Sequence, residues 1–140
     1  MSISTFQLWN RSFGWGVFSV ALLIYMLTVE PTASFWDAGE YIATAAKLQV
    51  GHPPGAPLFQ MIGAFFALFA TSSENIALMV NHMSVFSSAF TILFLFWTLT
   101  LLMKKLPAFE TLDNTAERLT FFGSAAVGAL AFCFSDSFWF

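Results

Sequence analysis

The chain has 140 residues, of which 58% are hydrophobic and 9% charged, and eight acids against five bases leave a net charge of −3. A mean hydropathy of +0.75 leaves too little polar surface to cover a water-soluble globule of this size, so the chain belongs in lipid. The acidic balance supplies no basic field for nucleic acid, and the single cysteine, Cys133, has no partner for an internal disulfide and sits in an apolar run as packing material.

Residues 12–29 carry no charge between Arg11 and Glu30, and 18 residues at about 1.5 Å each approach the ~30 Å hydrocarbon thickness. They form the first expected transmembrane helix. A signal peptide is the rival, but the run passes into Glu30 and Pro31 without a small-residue cleavage site. Asn10-Arg11-Ser12 matches a glycosylation sequon, and its place at the expected cytoplasmic end makes the match a chance one.

Pro31 ends that helix. Ser34 and Asp37 have the spacing of a capping box, predicting a short helix from about Phe35 to Leu48. With Asp37, Glu40, Thr44 and Lys47 it is too polar to span. It is expected to lie along the membrane surface, with Trp36 and Tyr41 at headgroup level. Gly51-His52-Pro53-Pro54-Gly55-Ala56-Pro57 follows as a rigid turn, completing an exterior loop over 30–57.

A second apolar helix fits 55–70, a third fits 76–103, and a fourth, rich in small residues, fits 119–140. The expected fold class is therefore all-α: a polytopic membrane protein of about four transmembrane helices plus one juxtamembrane helix. Residues 1–140 are read as part of one such domain, and the final aromatic run, with no capping or turn signal, as a chain that continues. Arg11 ahead of the first helix and Glu30, Asp37 and Glu40 behind it place loop 30–57 outside. If 55–70 crosses, Lys104 and Lys105 also fall outside, against the positive-inside rule. A re-entrant 55–70 would restore the rule. We read 55–70 as a crossing, with a local exception at the two lysines.

The chemistry concentrates in loop 30–57. Asp37, Glu40 and Tyr41 share one helix face, where a carboxylate can serve as a base, and the competing reading makes Asp37 a helix cap. His52 and Lys47 can meet an anion, or they can be a surface hydrogen-bonding residue and a snorkelling cation. Asp37, Glu40 and His52 lack any fixed metal-ligand spacing, so no metal is expected. Asn81, His82, Ser84, Ser87 and Ser88 form a polar stripe expected to bond between helices. Asp136 is expected to face protein or water.

Taken together, Ser34-Phe-Trp-Asp-Ala-Gly-Glu-Tyr41, Gly51-His-Pro-Pro-Gly-Ala-Pro57, the later Asn81-His-Met-Ser84 and Ser135-Asp-Ser-Phe-Trp-Phe140 resemble the amino-terminal part of a family of large multi-spanning bacterial proteins. That family is related to the eukaryotic transmembrane protein O-mannosyltransferases, in the GT-C group of membrane glycosyltransferases. The resemblance implies an inverting transferase that moves a sugar from a polyprenyl-phosphate donor to a hydroxyl, most simply a Ser or Thr of an exported protein. It further implies an inner-membrane location with the reacting loop outside, and no cofactor beyond the lipid-linked donor. On it, Asp37 is the catalytic base and Glu40 the second choice. Tyr41, Lys47, His52, Pro53 and Pro54 border the donor, with His52 steadying the departing phosphate. An ion-coupled transporter or lipid-flipping module using Asp37, Glu40 and Asp136, and a structural membrane subunit, are the alternatives.

Overall fold

The computed structural model describes residues 2–34, 37–53, 55–109, 112 and 114–135. Trp36, Pro54 and Asp136 lie outside the described residues, as does the expected end of the fourth helix. Among the described residues the chain is helical without strands: α1 (Ile3–Thr28), α2 (Ala38–Lys47), α3 (Pro57–Ala67), α4 (Ile76–Met103) and α5 (Thr115–Cys133).

Two of these elements start earlier than the apolar runs predict, for local reasons. The Ser2 hydroxyl accepts from the Thr5 N–H at 3.2 Å, so α1 begins at Ile3 and runs through Arg11. A charge that bounds an apolar stretch does not end a helix. α5 opens at Thr115 under a complete capping box, in which Asn114 accepts from the Glu117 N–H at 2.9 Å and Glu117 accepts from the Asn114 N–H at 3.2 Å.

Only α1 and the stretch Ser73–Met103 are, among the described residues, long and apolar enough to cross a bilayer. The helix expected over 55–70 is shorter. α3 has 11 residues, about 17 Å of rise against a hydrocarbon layer of ~30 Å, because Pro57 fixes its start and the chain turns after Ala67.

The chain divides into two compact units. The first takes α1 to Ile24, α4 from Ser88, and α5. Its packing is aromatic: Phe6, Phe109, Phe121 and Phe122 meet with ring centroids 5.1–5.7 Å apart, and Phe122 and Phe96 are fully buried. The Lys104 ammonium stands 4.9 Å over the Phe6 ring, and the buried Thr100 hydroxyl lies 2.8 Å from Asn10 Oδ1. The start of α1 and the end of α4 are therefore neighbours, and within this unit the two helices run antiparallel.

The second unit, Tyr25–Ser87, holds α2, α3 and the first part of α4. α2 packs on α3 at close range. A Cβ placed on Gly63 would stand 3.0 Å from the Ala45 Cβ, tighter than ordinary contact, so the hairpin depends on the missing side chain. Across the same contact Tyr41 meets Phe59 edge to face at 5.3 Å. Asn81 of α4 donates to the carbonyls of Glu30 at 2.8 Å and Thr32 at 3.0 Å. The residues that leave α1 and those that enter α4 are thus side by side.

Candidate functional site

The capping box expected at Ser34 is not the one formed. α2 begins at Ala38, and Asp37 itself holds the N-cap position, with φ −78°, ψ 0° and no side-chain capping bond. Its backbone carbonyl accepts from the Tyr41 N–H at 3.0 Å. The exposed carboxylate is thus left uncommitted to the helix end that the capping account assigns it.

Glu40, one turn further on, is committed. Its Oε1 accepts from the His52 N–H at 2.8 Å, and its Oε2 lies 2.7 Å from His52 Nδ1. The carboxylate clasps the turn after α2 from both sides of one residue. These bonds hold the Glu40 carboxyl below its ordinary pKa, the backbone N–H of His52 being the largest cause. The same contact holds His52 above its ordinary value, through the Glu40 hydrogen bond first and a weaker attraction from Asp37 last. A carboxylate with both oxygens spoken for, and with lowered basicity, suits the orientation of His52 better than the removal of a proton.

The turn that delivers His52 is built from three devices. Leu48 closes α2 in the left-handed region (φ 50°, ψ 45°), its N–H bonded to the Ala45 carbonyl while the Gln49 N–H bonds to that of Thr44 at 2.8 Å. A leucine there stores about 1–2 kcal/mol of backbone strain. Gly51 lets the clasp close, since a Cβ at that position would stand 3.0 Å from Glu40 Oε1. The buried Gln60 of α3 then binds the turn from below. Its amide nitrogen faces the Gln49 carbonyl at 3.1 Å, and its oxygen faces the Gly51 N–H at 3.3 Å and Thr44 Oγ1 at 3.1 Å, the orientation that pairs donor with acceptor.

The crevice among Glu40, Tyr41, Thr44, His52 and Gln60 has no room for a water molecule. A larger cavity of about 340 Å³ lies in the same unit, its lining including Ser34, Tyr41, Phe59, Asn81 and Ser84. Ala38 also lines it, one residue after Asp37. Of the residues singled out from sequence, the structure brings Glu40, Tyr41 and His52 together. Lys47, exposed in the last turn of α2, lines neither space, and Pro53 is exposed on the turn. Asp37 lines neither space, and its chain neighbour Ala38 lines the larger one. Sequence reading missed Gln60, although a lone amide in an apolar run is the signature of a buried hydrogen-bonding group.

Residues 37–140 match the family model described as the Protein O-mannosyl-transferase TMEM260 N-terminal domain. Over 86 residues the chain is 33% identical to the Protein O-mannosyl-transferase tmem260 of Dictyostelium discoideum, an alignment that covers 61% of this chain and 10% of that protein. The chain thus spans about a tenth of the length of this curated relative. No solved structure matches it.

Proposed function

The chain belongs to the TMEM260 N-terminal domain family of protein O-mannosyl-transferases, and from that premise we propose that it is the amino-terminal part of a membrane glycosyltransferase of the GT-C type. The donor is a mannosyl or related sugar carried on a polyprenyl phosphate, and the acceptor is a Ser or Thr hydroxyl of an exported protein. Loop 30–57 faces the exterior side of a cytoplasmic membrane, where such acceptors emerge.

In this reading Asp37 accepts the proton of the acceptor hydroxyl as its oxygen bonds to the anomeric carbon. The bond from that carbon to the phosphate oxygen breaks, its electron pair leaves with the lipid phosphate, and the configuration inverts. General base assistance of this kind contributes typically ~10²–10⁴ in rate. Glu40 orients His52 and favours its protonated form, and a positive charge near the leaving phosphate favours the charge that develops there. Tyr41 borders the reacting groups.

The observation that carries the reading is the combination of the family match, which opens at Asp37, with an N-cap aspartate that makes no capping bond. Asp37→Asn in the full-length protein tests it. Mannosyl transfer to an acceptor protein falls by about 10²–10⁴-fold, while thermal unfolding is nearly unchanged because no cap bond is lost. Transfer at the wild-type rate overturns the assignment.

A further inference from the structure

The larger cavity has an uncharged lining, part apolar through Ala38, Ile42, Ala56 and Phe59 and part polar. Among the described residues around it there is no Asp, Glu, Lys, Arg or His; the polar groups are the hydroxyls of Ser34, Tyr41 and Ser84 and the amide of Asn81. Asn81 is fixed in place because its nitrogen already donates to the Glu30 and Thr32 carbonyls, which leaves its oxygen to accept from a ligand. Tyr41 and Phe59, locked edge to face at 5.3 Å, supply an apolar wall. The charged pair Glu40 and His52 lines the neighbouring crevice instead, with both side chains reaching solvent.

A phosphate needs cations or clustered N–H donors, and this cavity has no cation among its described lining residues. A hydrocarbon tail does not need three hydroxyls and an amide. A neutral ring bearing several hydroxyls satisfies both halves of the lining: its hydroxyls exchange hydrogen bonds with Ser, Tyr and Asn, and its C–H face packs on the aromatic wall. The volume of about 340 Å³ lies at the small end of ligand pockets, suited to a single ring and too small for a ring with its lipid carrier.

We infer that this cavity, built from Ser34, Tyr41, Phe59, Asn81 and Ser84, is the subsite for the monosaccharide unit, separate from the His52 turn that would face its phosphate. The inference rests on the glycosyltransferase reading above. Ser84 is the new specificity residue in it: an exposed side chain on α4, a helix that reading does not otherwise use.

The test measures binding without turnover. Full-length protein in detergent is titrated with free D-mannose, and separately with inorganic phosphate, by saturation-transfer NMR. Mannose binds saturably and phosphate does not displace it. Ser84→Leu, which fills the cavity from an exposed position, abolishes mannose saturation. Ser84→Ala removes one neutral hydrogen bond and weakens binding by about threefold to tenfold. Asp37→Asn leaves mannose binding in place. The subsite is overturned by no detectable mannose binding, by mannose binding indifferent to both Ser84 variants, or by phosphate competing with mannose. If mannose binds through Ser84 while Asp37→Asn transfers normally, the catalytic reading falls and the subsite stands. If Asp37 is essential and mannose ignores Ser84, the subsite alone falls.

Discussion

Glu40 reaches over twelve residues of chain to grip His52 by both its backbone N–H and its ring, at 2.8 and 2.7 Å. Both side chains are well exposed, 40% and 51%, so the pair is screened and its contribution to global stability is small. Its consequence is local: it sets the charge of His52 and the shape of the turn.

The pH dependence follows from the two shifts. His52 is raised above 6.5, so its contribution is fully present below 6.5 and disappears as pH rises through the folded value. Glu40 is lowered below 4.5, so its contribution is present above 4.5 and disappears as pH falls through the folded value. The turn is therefore best held between about pH 4.5 and 6.5 and loosens in alkali once His52 loses its proton. Hydrogen exchange at the His52 amide checks this, slowest in that window. Glu40→Gln removes the Glu40 charge and its ionic hydrogen bond, the two largest causes, so the His52 titration seen by NMR moves to lower pH, and the alkaline limb of transfer activity moves with it. A His52 titration that Glu40→Gln does not move would mean that the clasp is not formed.

Gln60 gives a prediction on stability. Its buried amide pairs with the Gln49 carbonyl and the Gly51 N–H. Gln60→Leu keeps the volume and removes both bonds, and a lost hydrogen bond of this ordinary kind costs about 0.5–1.5 kcal/mol. Thermal or denaturant unfolding in detergent should show a loss of that size, with faster exchange at the Gly51 amide. Wild-type unfolding would show that water, not Gln60, satisfies the turn.

Much of this was legible in the sequence. The apolar run 76–103 becomes α4, and the polar cluster over 30–57 contains the grouped site, because hydropathy and proline chemistry act locally. The one capping box read from the sequence did not form and one that was not read did, because a box is decided by where the first helical turn closes. Asn114 and Glu117 close theirs, whereas Ser34 and Asp37 do not, since α2 opens at Ala38. The Glu40 grip on His52 spans a turn whose path depends on Leu48 in a left-handed conformation, which leucine rarely adopts and no residue pattern announces. Gln60 and Asn81 act on backbone atoms distant in sequence, and composition alone does not point to a carbonyl 49 or 51 residues away.

Asn81 on the Glu30 carbonyl also gives a prediction on topology. If 55–70 crossed the bilayer, the end of α1 and the start of α4 would lie on opposite faces, roughly 30 Å apart. They are hydrogen-bonded. If α1 and α4 are antiparallel crossings and α3 does not cross, Arg11, Lys104 and Lys105 fall on one face, as the positive-inside tendency requires. Single cysteines test this in a Cys133→Ser background: Glu30→Cys, Glu74→Cys and Lys105→Cys, labelled in intact cells with an impermeant maleimide. The first two label together and the third only after permeabilisation. Labelling of Lys105→Cys in intact cells, together with Glu30→Cys but not Glu74→Cys, would restore the crossing over 55–70 and break the contact between Asn81 and Glu30 on which the cavity depends.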